Sequence, residues 1–220
     1  MATTAKKTGA PLSVYKIKAR ITLTEELLGT KALEPEIHEA YIANQHPDGV
    51  AKMDEIKAAN RKAEDAPEEE QEIKGVTVFH QDEDRDPILY DYQIKGFFKD
   101  ACGGLRRAST SYSGALSAYK SVIDGAIFVN PRQIKLQIPE GGAMGLCSRP
   151  LRTETMRGPR VALCCSETVP AGTVMEVEIS YYNKSYDKVI REWLDYGQVR
   201  GLGQWRNSGK GTFTWEEIQD

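Results

Sequence analysis

The chain is poor in the residues that mark most chemistries. Its 220 residues include four cysteines and three histidines. Cys102, Cys147, Cys164 and Cys165 form no Cys-x-x-Cys pair, and His38, His46 and His80 lie far from them in sequence. That excludes the usual zinc spacings and fits buried, reduced thiols. No apolar run approaches the roughly 18 residues of a membrane span, and the N-terminus has no apolar stretch, so neither a membrane helix nor a signal peptide is expected. The chain reads as cytoplasmic. No Ser-His-Asp or Cys-His spacing points to a nucleophile. Positive charge is also not in excess: 29 Lys and Arg stand against 32 Asp and Glu, a net charge of −3. Any nucleic-acid surface must therefore come from segregation of charge within the chain.

What is plentiful is glycine near the C-terminus. Residues 196–215 hold Gly197, Gly201, Gly203, Gly209 and Gly211 beside Arg200, Arg206, Lys210, Trp205 and Trp215. Glycines let a backbone approach a ligand closely or adopt positive φ. Cations and ring faces beside such a backbone suit phosphates and bases. The same glycines could serve only a tight connection, and the stretch alone leaves both readings open. A nucleotide P-loop is excluded, because the Lys-Ser/Thr ending is missing and a strand rather than a helix follows.

The rest of the chain alternates strands with a few helices. Residues 1–11 are small, polar and basic, and read as a tail; residues 12–220 read as a single domain. Residues 13–23 predict a strand with Tyr15, Ile17, Ala19, Ile21 and Leu23 on one face and Lys16, Lys18, Arg20 and Thr22 on the other. Residues 25–74 hold a concentration of Glu and Asp and form an acidic insertion, with helices expected over about 34–44 and 50–64. A short strand at 75–79 leads to an acidic turn. Asp82, Asp84 and Asp86 alternate there as in a calcium loop, but the glycine and distal glutamate are misplaced, so no metal site is expected. A helix is predicted over 94–107, with Gly96 in its first turn and Lys95 and Lys99 on its polar side. A further helical segment (110–124), strands at 126–129 and 133–138, and a hairpin of 148–156 and 160–167 follow. The hairpin carries Arg149, Arg152, Arg157 and Arg160 with only Glu154 against them. A strand at 174–181, a helix from Ser185 capped by that residue, the glycine-rich loop and a last strand at 212–215 close the chain. Tyr181 and Tyr182 at a strand end suit either base stacking or packing.

This order suits an α+β domain on a split βαβ core. Three passages sharpen it. Residues 85–101 (RDPILYDYQIKGFFKDA), residues 149–179 with Glu167-Thr-Val-Pro-Ala-Gly-Thr173, and Gly201-Leu-Gly-Gln-Trp-Arg-Asn-Ser-Gly-Lys-Gly-Thr-Phe213 resemble, in order, passages of the CRISPR-associated RAMP superfamily. The nearest subgroup in appearance is the backbone subunits that coat guide RNA. The resemblance implies a modified ferredoxin-like, RNA-recognition-motif-like fold. It implies single-stranded RNA and other effector subunits or copies of the chain as partners, with no cofactor. It places Lys95, Gly96, Gly201, Gly203, Arg206, Gly209, Lys210 and Gly211 on the RNA backbone; Lys99, Arg200 and the hairpin arginines Arg149, Arg152, Arg157 and Arg160 extend that basic surface. Trp205 departs from the family pattern, and no catalytic residue carries over to the insertion. Two alternatives stay open: a metal-independent endoribonuclease of the same fold, which needs a base such as a histidine near the 2′-hydroxyl, and a protein-binding module acting through the acidic insertion.

Overall fold

The computed structural model describes residues 13–32, 76–155 and 158–219, without the side chains of residues 150–163. The tail and the helices expected at 34–44 and 50–64 lie outside the described residues. Within them the chain forms β1 (Tyr15–Leu23), β2 (Leu27–Leu28), β3 (Lys31–Ala32), β4 (Val76–Val78), β5 (His80–Gln81), β6 (Pro87–Tyr90), helix α1 (Asp91–Leu105), a 3-10 turn at Tyr112–Ala115 and helix α2 (Tyr119–Ala126). There follow β7 (Ile127–Asn130), β8 (Gln133–Lys135), the long arms β9 (Gly145–Thr155) and β10 (Gly158–Val169), β11 (Val174–Tyr181), helix α3 (Tyr186–Arg200), a 3-10 turn at Arg206–Ser208 and β12 (Phe213–Glu217).

Alternation builds the main sheet. Ile17, Ala19, Ile21 and Leu23 of β1 are buried, as are Met175, Val177, Ile179 and Tyr181 of β11. The strands pair antiparallel with Ala19 opposite Val177, which puts both apolar rows on one face. β12 and β7 complete a sheet of order β12-β1-β11-β7. Two strand–helix–strand units, β1-α1-β7 and β11-α3-β12, are thereby interleaved: a strand of each unit lies between the two strands of the other. The helices cover the apolar face. α1 buries Ile94, Phe97, Phe98, Ala101 and Cys102, and α3 buries Val189, Ile190, Trp193 and Leu194. Phe98 and Trp193 meet with ring centroids 5.3 Å apart. Ser113 locks the first 3-10 turn to α3: its hydroxyl donates to Glu192 (2.8 Å) and accepts from the Trp193 indole N–H (2.9 Å).

The opposite face of the sheet is a ladder of opposite charges. Lys16 meets Glu178 at 2.8 Å, and Arg20 meets Glu176 and Glu216 at 2.9 and 3.1 Å. The β1 cations Lys16 and Arg20 thus belong to a solvated, internally neutralised face.

A second sheet has the order β2-β10-β4-β3, with β9 beside β10. The first residues of the acidic stretch therefore fold into strands. β5, β6 and β8 form a third sheet.

Several local expectations are corrected. α1 begins at Asp91, because the Gln93 side chain accepts the Tyr90 backbone N–H at 2.7 Å; Gly96 consequently sits in the second turn rather than the first. Residues 110–124 split into a 3-10 turn and α2. Ser185 does not cap α3: its hydroxyl donates to Asn183 Oδ1, 2.9 Å away. Only Cys102 is buried; Cys147, Cys164 and Cys165 are partly exposed, lying on hairpin arms that β2 and β4 cover only near their base.

Candidate nucleic-acid interface

The glycine-rich loop is folded onto itself. Its arms are tied by the Leu202 N–H donating to the Gly211 carbonyl (2.8 Å), and the Gly211 N–H donates to the Glu26 carbonyl beside β2 (2.9 Å). Gly201 has φ +71° and ψ 174°, a conformation essentially confined to glycine, and a side chain there would strike the backbone of Lys210 and Thr212. The space beside Gly203 is filled by Leu27 and Leu28, and that beside Gly211 by Leu202. Gly209 alone of these four faces open space. Gly201 and Gly211 thus serve the loop's own closure, and Gly203 its packing against β2.

The loop's cations are partnered from elsewhere in the chain. Arg200 and Arg206 both reach Asp100 of α1, at 2.7 and 2.9 Å. Burial alone would push the Asp100 carboxyl up, but the two guanidiniums outweigh it and hold it below the usual carboxylate range. Lys210 meets Glu26 at 2.8 Å, which pushes its ammonium above the ordinary lysine range. Lys95 and Lys99 turn toward β7 and α2: Lys95 lies 4.8 Å from the Phe128 ring centroid, and Lys99 meets Asp124 at 2.6 Å. Arg149 is buried beneath Trp205. Arg152 and Arg160 lie on β9 and β10 with their side chains outside the described atoms, and Arg157 lies outside the described residues. Tyr181 is buried, its hydroxyl donating to Asp187 at 2.7 Å, while Tyr182 is exposed and edge-on to Phe128. Asp82, Asp84 and Asp86 converge on the Lys135 ammonium, at 2.7, 3.5 and 3.5 Å.

The Lys-Gly helix and the glycine loop do come together. Gly96, with nothing within 4 Å of where its Cβ would stand, opens a cleft of about 380 Å³ shared with Gly203, Arg206, Thr30, Lys31, His80, Tyr92 and Gln93. Tyr92 is exposed and stacks on Tyr90, centroids 5.5 Å apart, and His80 meets Tyr90 edge-on. Through Gly203 and Arg206 the cleft adjoins a hollow lined by Arg200, Gln204, Trp205 and Asn207. Arg200 in turn borders a third hollow with Lys99, Asp100, Arg107 and Tyr119. Along this strip stand five cations (Lys31, Arg206, Arg200, Lys99 and Arg107) and one carboxylate, Asp100. A larger hollow of about 850 Å³ lies apart from the strip, between Tyr112 and the start of α3.

Sequence reasoning missed Thr30, Lys31, Tyr92, Gln93 and Arg107 as members of this surface. Tyr92 and Gln93 could have been found, since both stand within one helical turn of Gly96 in the quoted motif. Lys31 could not, because it reaches the cleft through long-range pairing of β3 with β4.

No protein-family model and no curated protein matches the sequence. Solved structures do. A chain of the Type III-B Cmr-beta complex bound to cognate target RNA superimposes with a TM-score of 0.50 at 11% identity, over 94% of this chain and 60% of that one. The present chain thus spans 60% of that chain's length. A chain of a Type IV-B CRISPR complex (TM-score 0.46, 9% identity, 93% and 90% covered) and Cmr6 from Pyrococcus furiosus (0.46, 12%, 92% and 99%) are also similar. The resemblance to CRISPR effector subunits carried by the sequence motifs is met, in the Cmr-beta chain, at the level of fold.

Proposed function

We propose that this chain, sharing its fold with a subunit of a CRISPR effector complex, is a RAMP-type protein that binds single-stranded RNA as a backbone-type subunit of a ribonucleoprotein. The interleaved strand–helix–strand units support the modified ferredoxin-like reading. The observation that carries the function is the basic strip. In a chain of net charge −3, five cations line three adjoining hollows, offset by Asp100 within them and by Asp124, which meets Lys99, with the exposed Tyr92 and Trp205 rings among them. Such a surface grips phosphates by charge and holds bases by stacking, without reading their sequence. The ladder of ion pairs on the open sheet face leaves that face poorly suited to the task. Lys95, Gly209 and the hairpin arginines extend the grip beyond the strip in this reading.

The test is a titration of labelled single-stranded RNA at several salt concentrations, followed by fluorescence anisotropy. Binding that weakens as salt rises, and weakens further in Lys31→Glu and Tyr92→Ala, is expected. Loss of salt dependence, or full binding by both variants, contradicts the reading.

One observation favours a second activity on the same surface. His80 lines the cleft beside Lys31, a base and a cation of the kind that metal-independent RNA cleavage through the 2′-hydroxyl requires. Cleavage of RNA in EDTA that disappears in His80→Ala would establish it; intact RNA after long incubation with the wild-type chain would dismiss it.

A further inference from the structure

Arg149 is only 6% exposed, yet among the described residues no carboxylate pairs with it. Its Nη2 donates to Gln204 Oε1 at 2.6 Å, while Nε and Nη1 are buried with no hydrogen-bond partner among the described residues. Gln204 is itself fixed, its amide donating to the Gly29 carbonyl at 2.9 Å. A buried guanidinium matched by one neutral oxygen is strongly disfavoured in a free protein. Such orphaned groups call for a partner supplied from outside. Trp205 lies against Arg149, its ring centroid 5.3 Å from the guanidinium carbon. Trp205 is 41% exposed, with φ +53° and ψ 33°, a left-handed backbone that bulky residues rarely adopt. It also lines the middle hollow of the basic strip, beside Arg200 and Arg206.

We infer that Trp205 is a gate over a buried phosphate subsite whose cation is Arg149. One backbone phosphate of a single-stranded RNA displaces the indole from the guanidinium and accepts from its free N–H groups, and a neighbouring base stacks on the displaced ring. The inference rests on the RNA-binding reading above and deepens it. A purely structural stack of Arg149 on Trp205 makes the opposite prediction about stability, and that difference decides between them. A cation kept for a ligand is dispensable for folding, whereas a structural one is not.

The experiment uses the whole chain and a short oligouridylate. Trp205 emission is isolated as the difference between wild type and Trp205→Phe, and melting temperature and RNA affinity are measured for Arg149→Met. The expected result is a change in Trp205 emission on RNA binding. With it goes an Arg149→Met variant that melts no lower than wild type yet binds RNA about tenfold more weakly, the loss expected for a charge-assisted hydrogen bond. Bound RNA with unchanged Trp205 emission overturns the gate and leaves the RNA-binding reading standing. So does an Arg149→Met chain that fails to fold, melts lower, or keeps full affinity. Failure of the wild-type chain to bind RNA at all overturns the functional reading itself, and this inference with it.

Discussion

If the glycine loop is closed by its own packing, Gly201→Ala and Gly209→Ala must differ sharply in cost. Both positions have positive φ, +71° and +81°. At Gly209 a methyl group meets nothing within 4 Å, so only the left-handed backbone is penalised, about 1–2 kcal/mol. At Gly201 the extended ψ of 174° adds a conformation nearly closed to other residues, about 1–3 kcal/mol. The methyl would also strike the Lys210 carbonyl and the Thr212 nitrogen, an overpacking cost of about 1–3 kcal/mol. The gap between the variants is the sum of these last two costs, roughly 2–6 kcal/mol, or at least about 4 °C in melting temperature for a chain of this length. Urea midpoints with unchanged slope, beside thermal melts, measure it. Two variants of equal stability would refute the view that these glycines serve the fold before the ligand.

Three further outcomes are expected. Gly96→Ala should stabilise α1 by about 0.5–1 kcal/mol, since its side of the helix is open; Gly96→Leu should keep the fold but narrow the cleft and weaken RNA binding, as equilibrium unfolding and RNA titration together will show. Ser113→Ala removes the acceptor of the buried Trp193 indole N–H and should cost about 1–3 kcal/mol in denaturant unfolding. Because the folded Asp100 carboxyl is held below its ordinary value by Arg200 and Arg206, its stabilisation is complete above the unfolded aspartate range, near pH 4, and is lost as pH falls through the lower folded value. Hydrogen exchange of the loop should rise over that acid window in the wild-type chain, and Asp100→Asn should remove the dependence.

What the sequence disclosed is what local pattern encodes. The period-two alternation of β1 and β11 marks the core rows and restricts the register, because a slip of one residue would turn one row away from the core. The apolar stripe of α3 predicts Val189, Ile190, Trp193 and Leu194 inward, as found. The loop's glycines and cations were visible, but their roles were not. Asp100 lies 100 residues from Arg200 in sequence, so nothing local says that one carboxylate gathers two of the loop's three cations. The burial of Arg149 is equally non-local, since Gln204 and Trp205 reach it only when the chain's last quarter folds over β9. The turn at residues 82–86 illustrates the converse: its alternating aspartates are legible, whereas the Lys135 that meets them arrives from β8.

The claim that the basic strip carries RNA is tested most directly by photo-crosslinking a 4-thiouridine-substituted single-stranded RNA to the chain and identifying the modified peptides by mass spectrometry. The account predicts crosslinks on the peptides bearing Tyr92 and Trp205, abolished by excess unlabelled RNA. Crosslinks confined to the β1 and β11 residues of the charge ladder, with none along the strip, would contradict it.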